Sequence, residues 1–245
     1  MTYEDLMELV QKRRSIRRFK TDPVPEELIN KVIDVARWAP SGFNMQPWEF
    51  IVVESAELRS KIVGYIKSYR EQSIAMESTR SENQGRKWKL KGMANEHGDY
   101  TTAPVYIILC GDPRLQVGLP MGAQCDRNRK RIIYLSSLSN AFLYMHLAAT
   151  SLGLASQWIS DVQAPYVSCM IKKLLNIPEP LELFDMIVMG YPAISPPKKF
   201  MRDVEDSVHR DRVAEGGFRS NADVEEYIRK ARSWTIGTHK RKSRK

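Results

Sequence analysis

Apolar residues recur at helical spacing from the first turn of the chain. Leu6, Leu9 and Val10 follow Thr2, which suits a helix cap, with Asp5 where a capping box closes. A second start is written in Val24-Pro25-Glu26-Glu27, because proline fits a first helical position and the acids favour the positive end of the dipole. Leu28, Val32 and Val35 mark one face of this helix, which stops near Trp38-Ala39-Pro40. The pattern then shortens. Trp48 to Val53, rich in aromatic and β-branched residues, reads as a strand, and Val105 to Cys110 as a buried one closed by Gly111-Asp112-Pro113.

The longest helix is predicted over Ile132 to Leu152. Leu135, Leu138, Phe142, Met145 and Ala149 form one stripe, and Leu143 and Leu147 lie on another side. A helix apolar over so much of its circumference is central or lies in a subunit interface. Gly153 follows at the expected C-terminal cap. Ala155 to Ile159 and Asp185 to Gly190 are further strands, with a helix around Tyr166 to Leu175 between them and a last helical segment over Asp223 to Trp234. One mixed α/β domain over 1–215, with an extension over 216–245, accounts for this order. From Lys67 to Gly98 the chain is polar and charged, and this segment is read as partly helical, a lid over a substrate site or a plain surface excursion.

Charge changes the picture only after it is located. Of a formal net charge of +9, five positive charges lie in the last seven residues, which leaves +4 for the remainder. The tail is expected to be a solvated, disordered end rather than a nucleic-acid site. No apolar run approaches the roughly 20 residues that span a bilayer, and the acidic N-terminus lacks a secretory pattern. Three scattered cysteines, Cys110, Cys125 and Cys169, read as reduced thiols in a cytoplasmic setting, with Cys110 in the core.

Dinucleotide and P-loop glycine motifs are missing, as is metal-ligand spacing among His97, His146, His209 and His239. His146, among apolar residues, reads as a core or interface histidine. What remains is Arg13-Arg14-Ser15-Ile16-Arg17-Arg18-Phe19 and the loop Ala39-Pro40-Ser41-Gly42-Phe43-Asn44-Met45-Gln46-Pro47-Trp48. Guanidinium forks bind phosphate through paired charge-assisted hydrogen bonds, and small amide and hydroxyl side chains can read a heterocycle's edge. A basic helix end and an ordinary turn are the plainer readings of each segment alone.

The order and spacing of these segments resemble the FMN-dependent nitroreductase family. Gly153-Leu154-Ala155-Ser156-Gln157-Trp158-Ile159-Ser160 is similar to the family's ring segment. Met189-Gly190-Tyr191-Pro192 with Lys198-Lys199-Phe200-Met201-Arg202 is similar to its ending. The resemblance implies an α+β fold, a central, mostly antiparallel sheet flanked by helices, in an intertwined homodimer with FMN at the interface. Arg13, Arg14 and Ser15 would hold the FMN phosphate, joined by Arg202 and Lys199. Arg17 would reach the pyrimidine edge, where a fixed cation stabilises reduced flavin. Pro40, Ser41, Gly42, Asn44 and Gln46 would line the cofactor from the opposite subunit, and Trp158, Ile159 and Ser160 would lie near the ring.

The activity implied is ping-pong transfer from NADH or NADPH through FMN to a small organic acceptor, a nitroaromatic or quinone by default. No general acid, base or metal is required. A specialised enzyme of the same fold, reductive dehalogenase-like or substrate-oxidising, with a narrow substrate under the 67–98 segment, is the alternative.

Overall fold

The computed structural model describes residues 2–79, 100–196, 199, 201–214 and 217–235. The 80–98 part of the expected lid, His97, Lys198, Phe200 and the basic tail lie outside them. Four strands, β1 (Trp48–Val53), β2 (Val105–Gly111), β3 (Ala155–Ile159) and β4 (Glu182–Gly190), form one antiparallel sheet in the order β1-β2-β4-β3. Every residue of β2 is buried because both faces of the sheet are covered. Tyr106, Ile108 and Cys110 enter one core, and Val105, Ile107 and Leu109 enter the other. Burial pushes the Cys110 thiol up to about 12, so it packs as an inert apolar group.

Helices α1 (Tyr3–Lys12), α2 (Glu26–Arg37), α3 (Ala56–Glu77), α4 (Arg127–Ser151), α5 (Pro165–Leu174) and α6 (Asn221–Thr235) complete the described elements named here. The first core takes Ile62 and Ile66 from α3 and Val167 and Ile171 from α5. The second takes Ile29, Val32 and Ala36 from α2 and Tyr134, Leu138, Phe142 and Met145 from α4. The result is a helix–sheet–helix arrangement in which each fully buried large aliphatic side chain contributes about 1.5–3 kcal/mol.

Local chemistry places the ends of these elements. The Thr2 hydroxyl accepts from the Asp5 amide and the Asp5 carboxylate accepts from the Thr2 amide, the expected capping box. Gly153, at φ +74°, ends α4, with Leu154 N–H donating to the Ala149 carbonyl. β1 and β3 have the expected bounds. β4 begins three residues early, at Glu182, because two acids, Glu182 and Asp185, interrupt the apolar run that marks a strand.

One element escapes the sequence reading and one expectation needs correction. The sequence pattern marks no element between Val53 and Lys67, whereas α3, capped by Ser55, starts at Ala56; its run on to Glu77 agrees with the partly helical expectation, since these turns contain strong helix formers. α4, by length and composition alone, is apolar enough to cross a bilayer, contrary to the reading that no run comes near. Its buried residues, however, pack in the second core against α2 and the sheet.

The chain divides into two compact units, Met1–Pro196 and Pro197–Lys245. The second holds α6, capped by Ser220, whose hydroxyl accepts from the Asp223 amide at 3.3 Å.

Candidate cofactor site

The arginine-rich segment leaves α1 as an extended arm along β3. Arg13 ends the helix, its N–H donating to the Leu9 carbonyl. Ser15 then pairs in parallel with Ser156, and Ile16 N–H donates to the Ser156 carbonyl at 3.1 Å. Farther on, Phe19 stands opposite Pro192, and its N–H donates to Thr102 Oγ1 at 3.2 Å. Ile16 and Phe19 are buried in the first core and anchor the arm. Arg13, Arg14 and Arg17 are half-buried, and Ser15 is exposed.

This arm concentrates charge without neutralising it. Among the described residues, no carboxylate forms an ion pair with Arg13, Arg14 or Arg17. The Arg17 Nε is buried and has no hydrogen-bond partner. Burial, and then repulsion from Arg14, holds the Arg13 guanidinium below its ordinary value. An unpaired buried donor of this kind costs about 1–3 kcal/mol, and more for a charged group, a cost that a bound anion would offset.

His146 lies behind the arm. It is 6% exposed, and its Nδ1 is 2.7 Å from Ser156 Oγ. Burial first, and the nearby Arg13 charge second, push it down to about 3, so it is neutral and adds no positive charge. The expectation of a satisfied core histidine agrees with this geometry.

The loop over 40–46 is held by α4. Phe43, Asn44 and Gln46 have φ of 54°, 53° and 45°, three left-handed residues in four positions. Such conformations cost on the order of 1 kcal/mol each and persist only where neighbours impose them. Here Gly42 N–H donates to Ser137 Oγ at 3.0 Å, and Asn140 Nδ2 donates to the Pro40 carbonyl at 2.9 Å. Within the loop, Gln46 N–H donates to Ser41 Oγ at 3.0 Å, and Gln46 Nε2 to Asn44 Oδ1 at 2.9 Å. A Cβ on Gly42 would come within 2.2 Å of Ile133 Cγ2, so only glycine fits against the helix there. Ser137 and Asn140 escaped the sequence reading. Their signal was weak, because Ser136 and Ser139 stand beside them and four polar residues in five positions do not single out these two.

The ring segment presents Trp158, 57% exposed, and Ser160, also exposed, whereas Ile159 is 1% exposed and packs in the first core. Only the backbone of Ile159 is available to a ligand. The Trp158 ring lies 5.7 Å from that of Phe142. Thus the arm and the ring segment share one sheet edge, while the loop is fixed separately by α4. In the second unit Lys199 is exposed. The Arg202 guanidinium donates to the Asp206 carbonyl and lies 5.9 Å from the Tyr227 ring centroid.

Residues 10–191 match the family model of the nitroreductase family. The chain belongs to that family. A Methanothermobacter thermautotrophicus protein provisionally named NADH dehydrogenase/NAD(P)H nitroreductase is 30% identical over 210 residues, covering 85% of this chain and 87% of that one. A solved iodotyrosine deiodinase, bound to FMN and 3-iodo-L-tyrosine, is 25% identical with a TM-score of 0.64, covering 84% of this chain and 98% of that one. The NADPH:FMN oxidoreductase of Vibrio harveyi, complexed with NAD+, shares the fold at 19% identity and a TM-score of 0.65, covering 93% of this chain and 85% of that one. The arm, the loop and the ring segment all fall inside the matched residues. Lys199 and Arg202 fall beyond them.

Proposed function

We propose that this member of the nitroreductase family is an FMN-dependent oxidoreductase that takes a hydride from NADH or NADPH and passes it to a small organic acceptor. The observation that carries the reading is the unpaired arginine arm on the edge of β3, with a buried, partnerless guanidinium nitrogen at Arg17. FMN, when bound, supplies reversible hydride acceptance, and the protein's residues need supply no acid or base. Arg13, Arg14 and Ser15 hold the phosphate through charge-assisted hydrogen bonds. Arg17 stabilises negative charge on the pyrimidine edge. Trp158 and Ser160 border the ring, with the Ile159 backbone between them.

The site is completed in a homodimer, in which the loop residues Pro40, Ser41, Gly42, Asn44 and Gln46 serve the opposite subunit's cofactor. Phe43, 64% exposed at the tip of a rigid loop, supports a second surface over it. Unpaired cysteines suit a reducing, cytoplasmic compartment.

The test is the visible spectrum of the purified protein before and after anaerobic NADH and then NADPH. A flavin band that bleaches with either donor supports the reading, and no flavin after reconstitution with FMN overturns it. An acceptor panel of a nitroaromatic, a quinone and an iodinated tyrosine then separates a broad reductase from a dehalogenating one.

A further inference from the structure

Ser156 stands where the arginine arm meets the sheet. β3 is an edge strand, and its free side takes the arm through the Ser15–Ser156 bridge and the 3.1 Å bond from Ile16 N–H to the Ser156 carbonyl. Alternation along β3 turns Ala155 and Ile159 into the first core, so Ser156 and Trp158 face the other way, toward α4. Two residues of α4, one turn apart, receive them. His146 Nδ1 lies 2.7 Å from Ser156 Oγ, and the Phe142 ring lies 5.7 Å from that of Trp158. Phe142 and His146 also meet edge to face, with centroids 4.9 Å apart.

A polar pair is an unusual choice for this place. Ser156 and His146 are both buried, on a stretch of α4 that gives Phe142, Met145 and Ala149 to the second core. Two apolar residues of similar shape would pack there with little loss or a gain, whereas both polar groups must be desolvated. What the hydrogen bond adds is direction. It fixes where Ser156 sits along α4, and hence where the strand edge offers its carbonyl to the arm. Burial keeps the imidazole neutral, so the contact places no further charge behind the arginines.

We propose that His146 is a positioning residue of the phosphate arm, which through Ser156 sets the arm's place on β3 and so the direction of Arg13, Arg14 and Ser15. The inference rests on the proposed role of those three residues in holding the FMN phosphate. It adds that their placement is decided by a buried side chain of α4 that reaches them only through the strand between.

Two variants separate position from stability. The double variant His146→Leu, Ser156→Ala removes both polar groups, leaves neither unpaired and should keep the thermal midpoint near the parent's. His146→Asn keeps an amide atom where Nδ1 stood, but it should lower the midpoint because it leaves a cavity. In the apoprotein, hydrogen exchange of the Ile16 amide should be about tenfold faster in the double variant and close to the parent's in the Asn variant. With cofactor, the probe is the preference for FMN over riboflavin, which lacks the phosphate. This preference should fall about tenfold in the double variant, the scale of one charge-assisted hydrogen bond, with riboflavin affinity unchanged. The Asn variant should keep it.

A double variant that keeps either the Ile16 protection or the FMN preference overturns the proposal. So does a preference that follows the thermal midpoint across the two variants, since that is the mark of a merely structural role. Should the double variant fail to fold, Ser156→Ala alone breaks the same hydrogen bond and should speed the Ile16 exchange; no change there would overturn the proposal. Because the exchange is read without cofactor, it stands apart from the functional reading, which fails only if the parent protein binds no FMN.

Discussion

Leu6 and Val10 of α1, Trp38 beyond α2, and Ile132 and Leu143 of α4 stand between 42% and 86% exposed. On the opposite face of the sheet, α3 and α5 turn Ile62, Ile66, Val167 and Ile171 fully inward, and Tyr166 of α5 has an edge contact with Tyr65 of α3, centroids 6.5 Å apart. α1 has no buried residue at all, although its apolar positions follow a helical stripe. The first layer is the less finished by its own chain, although Met76 of α3 and Tyr166 of α5 are also exposed on the other. Large apolar groups left out in greater number on one layer suit burial against something else. The arginine arm carries the same message in charge, since it is ordered in its backbone yet unneutralised.

The sharpest way to break this comparison is to charge the less finished layer. The double variant Ile132→Asp, Leu143→Asp should be a folded monomer that has lost its FMN, as read by sedimentation and the flavin band. A monomer that keeps FMN would separate the apolar surface from the site. Next in size are Arg13→Ala and Arg14→Ala, each expected to weaken FMN binding by about 1.5–3 kcal/mol in a calorimetric titration, the range for hydrogen bonds to charged groups. Unchanged affinity in both would remove the phosphate assignment.

Two buried groups behind the site give a comparable effect that depends on pH. His146 is pushed from 6.5 down to about 3, and Asp185 from 3.8 up to about 6. Between about pH 4 and 6 the unfolded chain holds a His146 proton that the native state lacks, so this term makes stability rise with pH. In the same window the native state holds an Asp185 proton that the unfolded chain has lost, so that term makes stability fall. Each slope is about 1.4 kcal/mol per pH unit, and the two cancel in the parent. Relative to the parent, His146→Gln should therefore lose stability as pH rises through the window, and Asp185→Asn should gain it. Urea midpoints across this window measure both, and two flat differences would refute the assigned directions.

Gly42→Ala should destabilise the fold by about 1–3 kcal/mol through overpacking against Ile133, measured by urea denaturation. A neutral result would mean that the loop is not pinned to α4. The smallest effect on binding is expected from Arg17→Ala, which should largely spare FMN affinity while lowering the bound flavin's reduction potential. An unaltered potential would exclude Arg17 from the pyrimidine edge.

Much of the fold was legible because its signals are local. The capping box at Thr2 and Asp5, the cap at Gly153 and the apolar runs of β1 and β3 depend on residues within a few positions of one another. The arm was legible as a cluster of guanidinium groups, whose plainer reading as a basic helix end gave way only beside the other segments. Residues that act across the fold were harder to read. Ser137 and Asn140 gain their meaning only from loop residues 95 and 100 positions away. Asp185 read only as the first residue of a strand, and its hydrogen bond with Gln163, 22 positions away, is visible only in the fold.

The sequence by itself determined the order of the four strands, most of the helices though not the start of α3, the burial of the central strand, the basic arm and a resemblance to the family to which the chain belongs. These follow from periodicity, turn chemistry and composition, which act over one element at a time. Only the tertiary structure decided that the arm joins the edge of β3, that α4 enforces the left-handed loop, and which apolar faces the chain leaves uncovered. Those outcomes depend on which distant surfaces meet, and on whether the hydrogen bonds formed there offset the cost of strained backbone and buried charge.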